Sequence, residues 1–235
     1  MQRFYIPLQN FRDDYAVSDS EILIKQLTNV LRAKEGDKFL LFNNSGWEYL
    51  GQLIKLTKTE ARFLLIDQKP GLREPERRVT LYQSLLKADK FEWLLQKATE
   101  IGVTKIVPIV SERSVVREVR PPKLERFREI AREASEQCGA VVLTEVLPAL
   151  SFSQALQILG REGGIRLIAY EGEENRPLEN HLEEKINLFV GPEGGWSTEE
   201  IILAQEAGCL TVTLGRRILR AETAALAALV RLIQD

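Results

Sequence analysis

Hydrophobic and polar positions alternate through much of the first 70 residues, and this period of two is typical of β-strands. Residues 3–7 and residues 61–66 each predict a strand of this kind. Residues 39–42 and 47–56 lie on either side of Asn-Asn-Ser-Gly, a composition that favours a tight turn, so these segments predict a hairpin. The first part of the chain is therefore expected to be rich in β-structure.

One helix is expected between these strands. Ser18 and Glu21 have the spacing of a capping box, in which each side chain accepts a hydrogen bond from a free amide at the start of a helix. The apolar residues that recur at helical spacing after it are Leu23, Leu27, Val30 and Leu31. We therefore expect all four to lie on one face of the helix.

From residue 79 onward, continuous apolar runs replace the simple alternation. Residues 69–78 contain two prolines and charges of alternating sign, which indicates a linker. Mostly apolar runs are typical of strands that are covered on both faces. These runs lie at residues 79–86, 106–110, 165–170, 186–190 and 210–214.

Helical segments separate these apolar runs. Residues 89–101 precede Gly102, residues 122–138 precede Gly139, and Ser197 with Glu200 forms a capping box that opens a further helix. Strands that alternate with helices predict an α/β domain, in which helices flank a mostly parallel sheet. The chain is thus expected to contain a small β-rich domain at residues 1–72 and a larger α/β domain at residues 73–235.

Composition and charge exclude several classes of protein. The formal net charge is −2, which does not fit a protein that coats nucleic acid through its overall charge. Residues 1–78 carry 13 Lys and Arg against 11 Asp and Glu, a balance compatible with RNA contact and equally with an ordinary solvated surface. The sequence has neither an apolar leader nor an apolar run of membrane-spanning length, so we expect a cytoplasmic protein without a membrane partner.

The cysteines and the histidine do not indicate a metal site. Cys138 and Cys209 are far apart, and we expect both to be small buried residues in a reducing compartment. His181, the single histidine, lies in an acidic stretch and is expected to be solvated rather than to act as a base. We therefore expect no bound metal.

Two strand ends in the α/β part lead into loops that suit a ligand. The first loop is Gly-Pro-Glu-Gly-Gly at residues 191–195, where missing side chains allow a ligand to lie against the peptide groups. The second begins at Gly215 and carries the arginines Arg216, Arg217 and Arg220. Because ligands bind at the carboxyl ends of parallel strands, the two loops predict one shared site.

The chemistry of this site is narrowed by the motifs that the sequence lacks. It contains no G-x-G-x-x-G motif, no Walker loop and no G-x-S-x-G elbow. What remains is backbone, glycine, arginine and a few carboxylates. Such a site suits group transfer, in which a bound cofactor supplies the reactive atom and the protein orients it.

Several side chains have two interpretations at this point. Glu193 contacts the ligand or satisfies neighbouring amides, and Trp196 covers the pocket or fills the core. Arg220 belongs to a solvated cluster or is held and aimed by a carboxylate in the following helix, and we favour the second because Glu222 lies two residues on. Trp47 and Trp93 are expected to fill the cores of their domains.

The two loops resemble those of SPOUT-class methyltransferases, and more narrowly those of the 16S ribosomal RNA (uracil-N3)-methyltransferase family. The matching segments are residues 191–195 and 214–224, together with Val-Leu-Arg at 30–32, Lys-Ala-Thr-Glu-Ile-Gly-Val at 97–103, Pro108 with Ser-Glu-Arg-Ser at 111–114, and Glu-Ala-Ser-Glu-Gln-Cys-Gly at 133–139. These six segments span nearly the whole chain. The chain departs from the family at Gln26 and Ala140, where relatives often carry histidine and arginine, and both departures affect the expected RNA contacts.

The resemblance implies a fold, a reaction and an assembly. It implies a PUA-like RNA-binding β-barrel domain at residues 1–72 and a SPOUT-type domain with a deep trefoil knot at residues 73–235. The implied reaction is methylation of N3 of a uridine in small-subunit ribosomal RNA by S-adenosylmethionine, in a homodimer formed through the C-terminal domain. Two alternatives stay open: another RNA methyltransferase of the same class, such as a transfer RNA ribose 2′-O enzyme, and a non-catalytic RNA-binding assembly factor.

The resemblance also implies roles for individual residues. Arg220 and Glu222 are the expected catalytic residues. The expected RNA-binding residues are Arg3, Arg32, Arg113 and Arg217. The residues expected to bind S-adenosylmethionine lie at three strand ends and the start of the last helix: Ala169, Tyr170, Glu171, Gly191, Pro192, Glu193, Gly194, Gly195, Leu214, Gly215, Ile218, Leu219 and Thr223.

The last helix carries a large apolar surface for a chain end. Its apolar residues are Leu226, Ala227, Leu229, Val230 and Leu232, and its small residues are Ala224, Ala225 and Ala228. The surface predicts either a dimer contact or a helix that packs on its own sheet, and the resemblance favours the dimer.

Overall fold

Contacts divide the chain into two units. The computed structural model describes residues 1–179 and 183–234, so the prediction for His181 lies outside the described residues. One unit comprises residues 1–74 and 135–143, and the other comprises residues 75–134 and 144–235. No helix among the described residues is long and apolar enough to cross a membrane.

The first unit contains a curled sheet of five strands, a half-barrel. In chain order the strands are β1 (Arg3–Tyr5), β2 (Tyr15–Ser18), β3 (Lys38–Phe42), β4 (Trp47–Leu56) and β5 (Ala61–Pro70). Their order across the sheet is β1-β3-β4-β5-β2. The predicted hairpin is confirmed, because β3 and β4 pair in antiparallel register across the turn. The sequence pattern did not predict β2, which pairs with β5 at the edge of the sheet.

The helix of the first unit begins two residues later than the pattern predicts. Helix α1 (Glu21–Lys25) is capped by Ser20, whose hydroxyl accepts from the amide of Leu23 at 3.4 Å. The hydroxyl of Ser18 accepts instead from the amide of Ser20. One wide π-turn, Gln26–Val30, then follows α1. Because this turn departs from helical spacing, Leu23 and Leu27 are buried as predicted but Val30 is exposed.

The second unit is built around a parallel sheet of seven strands, which confirms the predicted α/β architecture. The strands are β6 (Arg78–Ser84), β7 (Lys105–Val110), β8 (Glu145–Val146), β9 (Leu150–Ser151), β10 (Ile165–Ala169), β11 (Lys185–Val190) and β12 (Leu210–Val212). Six of them follow the order β12-β10-β11-β6-β7-β8, and β9 also pairs with β7. The carboxyl ends of β12, β10 and β11 are therefore neighbours.

The helices of this region are α2 (Ala88–Ile101), α3 (Pro121–Cys138), α4 (Phe152–Glu162), α5 (Thr198–Glu206) and α6 (Ala221–Ile233). The capping box of Ser197 and Glu200 is confirmed at the start of α5. Helix α4, which the pattern did not predict, opens with a similar box of Ser151 and Gln154.

Alternate residues of the central strands face two separate hydrophobic clusters. Leu81 and Leu188 pack with α2 and α6, whereas their chain neighbours Tyr82 and Phe189 pack on the opposite face with α4 and α5. The rings of Tyr82 and Phe189 are stacked with their centroids 4.4 Å apart. Both faces of the sheet are thus covered, which explains why most residues of its central strands are apolar.

Two predictions about tryptophan are wrong. Trp47 and Trp93 are both exposed rather than in the cores of their units. The sequence alone does not distinguish the two situations, since a single ring at a strand end or on a helix has no periodic partner. Cys209 is buried as predicted, and Cys138 is half-buried.

The apolar residues of α6 serve mainly to pack the helix on its own unit. Ala225, Ala228, Leu229 and Leu232 belong to the core cluster that contains α2 and the sheet. Val230 is exposed. Most of the apolar surface of α6, which the sequence suggested as a dimer contact, is therefore buried within the chain.

Candidate functional site

A cavity of about 440 Å³ lies at the carboxyl ends of β10, β11 and β12. The loops that follow these three strands line it, together with the first turns of α2 and α6. Both loops that the sequence singled out, at residues 191–195 and from Gly215 onward, reach this one cavity. The position agrees with the rule that ligands bind at the carboxyl ends of parallel strands.

Most of the residues expected to bind a cofactor meet in this cavity. Those that line it are Ala169, Tyr170, Glu171, Gly191, Pro192, Glu193, Gly195, Leu214, Gly215, Ile218 and Leu219. Gly194 and Thr223 are not among the lining residues. Residues that line the cavity but were not predicted to do so include Lys90, Val190, Thr213, Arg216, Ala221 and Ala224.

The loop at residues 191–195 needs glycine at Gly195. A turn closes where the amide of Gly195 donates to the carbonyl oxygen of Pro192 at 3.0 Å. Gly195 has a φ of +68°, a conformation that side chains disfavour, and a Cβ there would collide with the carboxylate of Glu171. The close approach expected for a ligand is thus made, in this structure, by a carboxylate of the protein itself.

Trp196 both fills the core and forms a wall of the cavity, so its two interpretations are compatible. The indole is buried and packs against Phe152 with the ring centroids 5.1 Å apart. Its Nε1–H donates to the carbonyl oxygen of Ala169 at 2.9 Å. The indole also lies against Gly191, where a Cβ would come within 3.1 Å of the ring.

The loop after β10 is held down by a carboxylate. Glu173 accepts a hydrogen bond from the hydroxyl of Thr211 on β12 at 2.6 Å, and two more from the amides of Asn175 and Arg176. These bonds, with that from Thr211 the strongest, lower the pKa of Glu173 below its ordinary value. The ionised carboxylate therefore fixes the loop that carries Glu171 into the cavity wall.

The two expected catalytic residues lie near each other in sequence but do not form the expected pair. Arg220 lines the cavity as the residue that precedes α6, and its side chain is exposed. Among the described contacts, no hydrogen bond or ion pair joins it to Glu222. The prediction that Glu222 holds Arg220 is therefore wrong for this structure.

Glu222 is instead paired with Lys90. Its Oε1 lies 3.4 Å from Nζ of Lys90, whereas Oε2 is buried and has no hydrogen-bond partner among the described residues. Nζ of Lys90 also lies 3.9 Å from Oε1 of Glu193. Glu193 accepts no hydrogen bond from a neighbouring amide in the described part of the chain. The sequence suggested contact with a ligand or with such amides, and it did not predict this ion pair.

Sequence reasoning missed Lys90 because α2 lies about 100 residues before the two loops. One local signal does exist. A cation in the first turn of a helix is repelled by the partial positive charge of the helix N-terminus. A lysine at this position therefore suggests that its side chain interacts with residues outside the helix.

The four arginines expected to bind RNA are placed in different ways. Arg217 lines the cavity and is exposed. Arg113 donates from Nη1 to the carbonyl oxygen of Gly194 at 3.1 Å, and so contacts the back of the glycine loop. Arg32 is exposed and has a φ of +51°, a left-handed conformation that non-glycine residues rarely adopt.

Arg3 is used inside the first unit. Its guanidinium pairs with Glu48 and donates to the carbonyl oxygens of Gly139 at 3.0 Å and Ala140 at 3.3 Å. The side chain is only 10% exposed, which leaves little of the guanidinium for contact with RNA.

The arrangement supports transfer chemistry that relies on orientation and charge. Within residues 1–179 and 183–234, no group of three or more His, Cys, Asp or Glu side chains could hold a metal. The cavity combines glycine backbone, an indole wall, exposed arginines and the carboxylates of Glu171 and Glu193, and Lys90 in its lining also pairs with Glu222, which lies outside the lining. Such groups can bind a cofactor, neutralise developing charge and accept a proton.

Two protein-family models match different parts of the chain. Residues 73–233 match the family model described as an RNA methyltransferase domain. Residues 27–66 match the model described as an RNA methyltransferase PUA domain.

Named relatives and solved structures match over nearly the whole length. A ribosomal RNA small subunit methyltransferase E of Bacillus subtilis is 32% identical over 97% of this chain and 94% of the relative. A crystal structure of such an enzyme from Neisseria gonorrhoeae, bound to S-adenosyl methionine, has a TM-score of 0.88 and 35% identity, and the match covers 98% of this chain and 95% of that one. A putative methyltransferase from Legionella pneumophila, in complex with the same cofactor, has a TM-score of 0.85 and 28% identity over 97% of this chain and 94% of that one.

Proposed function

The chain belongs to the RNA methyltransferase family, and from this membership we propose that it methylates N3 of one uridine in 16S ribosomal RNA, with S-adenosylmethionine as the methyl donor. The observation that carries the proposal is the cavity at the ends of β10, β11 and β12. It joins a glycine loop, an arginine and the carboxylates of Glu171 and Glu193 within one unit, in a chain similar to a methyltransferase crystallised with this cofactor.

The cavity fits a cofactor of this kind. A volume of about 440 Å³ lies in the range typical of small-molecule sites. The residues that would hold the cofactor are the predicted ones that line the cavity, and the glycine loop at 191–195 and the loop from Leu214 to Leu219 chiefly supply them. Bound there, S-adenosylmethionine supplies an electrophilic methyl group on a sulfonium that is a good leaving group. The loops contribute alignment, which is the main requirement of such a transfer.

The proton on uracil N3 must leave before or during the reaction, because N3 is a weak acid at neutral pH. We assign Glu222 as the acceptor of this proton, because its Oε2 has no partner among the described residues. Oε2 is buried and Glu222 lies outside the cavity lining, so its side chain has to turn towards the cavity to act as the base. Arg220, whose side chain lines the cavity, stabilises the negative charge that develops on the uracil oxygens.

RNA binding falls to residues 1–72 and to arginines of the second domain at residues 73–235. Arg32, Arg113 and Arg217 provide cations for phosphate, and the exposed positions of Arg32 and Arg217 support this role. Arg3 contributes by fixing the carbonyl groups of Gly139 and Ala140 rather than through its own charge. The proposed substrate assigns the reaction to the cytoplasm, where ribosomes are assembled.

The active form in this proposal is a homodimer formed through the C-terminal domain. Exposed apolar side chains of this unit, such as Ile218 and Val230, support a contact surface. Light scattering at micromolar concentration tests the assembly, and a fully active monomer would contradict it.

Two experiments test the proposed activity. Titration calorimetry with S-adenosylmethionine separates an enzyme from a non-catalytic assembly factor, because no binding at millimolar concentration contradicts an enzyme. Mass mapping of 16S ribosomal RNA from a deletion strain then identifies the product. The loss of one base methyl on a uridine is expected, whereas the loss of a ribose methyl from transfer RNA would favour the alternative member of the same class.

A further inference from the structure

Lys90 lies between two carboxylates, of which Glu193 lines the cavity and Glu222 lies just outside the lining. Glu193 belongs to the glycine loop after β11, and Glu222 belongs to the first turn of α6. The ammonium is 3.9 Å from the first carboxylate and 3.4 Å from the second. Lys90 itself lines the cavity from α2. One cation thus joins three elements that the sequence keeps far apart.

The two carboxylates need this cation. Both lie within 4 Å of the same ammonium, and Glu222 is only 12% exposed, so water screens its charge poorly. Two carboxylates in such a position repel each other unless a cation lies between them. Without Lys90, the two carboxylates would repel each other. The loop that carries Glu193 would then move away from α6, because Glu193 is more exposed than Glu222.

The position of Lys90 within α2 indicates that its role lies outside the helix. It stands in the first turn, where a cation opposes the helix dipole. The residue before the helix, Lys87, provides no side-chain cap, so the N-terminus of α2 gains no compensating bond there. Asp89 in the same turn favours the helix N-terminus, whereas Lys90 opposes it, and the ion pairs with Glu193 and Glu222 offset the unfavourable position of the lysine.

We propose that Lys90 is a positioning residue that ties the loop at residues 191–195 to the first turn of α6 and so keeps the cavity in the shape that binds the cofactor. The inference rests on the proposed function, because it assumes that this cavity holds S-adenosylmethionine. Lys90 acts through Glu193 and Glu222 and does not itself contact the cofactor.

A double-mutant cycle at positions 90 and 193 tests whether the ion pair of Lys90 with Glu193 holds the loop in place. Lys90→Met removes the cation and keeps the length of the side chain, and it should weaken S-adenosylmethionine binding in calorimetry by roughly tenfold. Glu193→Gln in the same chain removes one of the two repelling charges. The double variant should therefore recover most of the lost affinity, and Lys90→Arg should bind nearly as well as the wild type.

Other results of the same titrations overturn the proposal. If Lys90→Met binds within twofold of the wild type, the tie does not shape the cavity. If it binds weakly and Glu193→Gln restores nothing, Lys90 contacts the cofactor directly. Lys123→Met is the matched control, because Lys123 is similarly exposed (35% against 31% for Lys90) and pairs with Glu92 on α2, outside the cavity. This control should bind normally.

Two further measurements separate the tie from a general loss of stability and from a failure of the proposed function. In steady-state methylation, Lys90→Met should raise the KM for S-adenosylmethionine more than it lowers kcat, a split that global destabilisation does not produce. Urea unfolding of the wild type, Lys90→Met, Glu193→Gln and the double variant, all without cofactor, should show coupling between positions 90 and 193. Absence of that coupling overturns the tie even if the wild-type protein binds no S-adenosylmethionine.

Discussion

Trp196 donates its indole Nε1–H to the carbonyl oxygen of Ala169, and this 2.9 Å bond joins the loop after β11 to the last residue of β10. The two strands are already paired in the sheet, but their ends diverge into separate loops. The indole connects those loops just where the cavity opens. Because the ring is buried against Phe152, the loop cannot move without disturbing the core.

Trp196→Phe should weaken both folding and cofactor binding. Phenylalanine retains most of the apolar contact but cannot donate to Ala169, and the loss of one such bond costs about 1 kcal/mol in the free energy of unfolding. Urea unfolding and calorimetry measure the two effects. Trp93→Phe is the control, because Trp93 is exposed and lies outside the cavity lining. Equal stability of both variants would contradict a role for the indole bond.

Gly195→Ala should reduce cofactor affinity more than its backbone strain alone would do. The added Cβ would collide with the carboxylate of Glu171, which must then move within the cavity wall. Gly46→Ala is the control, because Gly46 also has a positive φ (+83°) but open space at its Cβ position. Both variants should lose about 1 kcal/mol of stability from the left-handed backbone. Only Gly195→Ala should bind S-adenosylmethionine more weakly, as calorimetry can determine.

Arg220→Ala should lower kcat by roughly 10²–10³-fold, which is the effect of losing one oxyanion donor. Cofactor affinity should change little, since the guanidinium is assigned to the charge on the uracil. Single-turnover methylation of the native RNA measures the first quantity, and calorimetry measures the second. Near-normal turnover would contradict the assigned mechanism.

Glu222→Gln distinguishes a base from a residue that only orients its neighbours. If Glu222 accepts the N3 proton, the variant should be as impaired as Arg220→Ala and should change the pH–rate profile. An orienting role predicts much more residual activity and an unchanged profile. Glu92→Gln, which removes a paired carboxylate from α2 outside the cavity lining, should leave the rate unaffected.

The buried thiol of Cys209 should make the protein less stable at high pH. Burial raises the pKa of this thiol from 9.0 to about 11. In the unfolded chain the thiol ionises first, so the stabilising contribution is complete below pH 9 and is lost as the pH rises towards 11. The loss amounts to roughly 2–3 kcal/mol. Unfolding of the wild type and of Cys209→Ala at pH 8 and pH 11 measures the difference, which should shrink at the higher pH.

The parts of the fold that follow from periodicity were predicted well from the sequence. The strands of the second unit are buried on both faces, and continuous apolar runs indicate this directly. The capping box of Ser197 and Glu200 is a local hydrogen-bond pattern, so a spacing of three positions suffices to identify it. At α1 the same spacing rule predicted Ser18 as the capping residue, whereas the structure has Ser20, because both serines precede the same apolar run.

The candidate site was predicted as far as its loops, whereas its charge arrangement was not. Glycines and strand ends are visible in sequence, and they led to one cavity. The pairing of Glu222 with Lys90 depends on how α2 packs beside α6, which no spacing within the last helix reveals. The trefoil knot implied by the resemblance stays a prediction, since strand order alone does not establish the path of the chain through its loops.

The left-handed backbone of Arg32 has a consequence for protein engineering. A residue with a side chain is less stable in this conformation than glycine by about 1 kcal/mol, so the native sequence is not the most heat-resistant one at this position. A laboratory selection for thermal resistance alone would favour glycine or asparagine at position 32. Such a selection would remove an exposed cation that we assign to RNA binding. The resulting protein would be more resistant to heat but less active on its ribosomal RNA substrate.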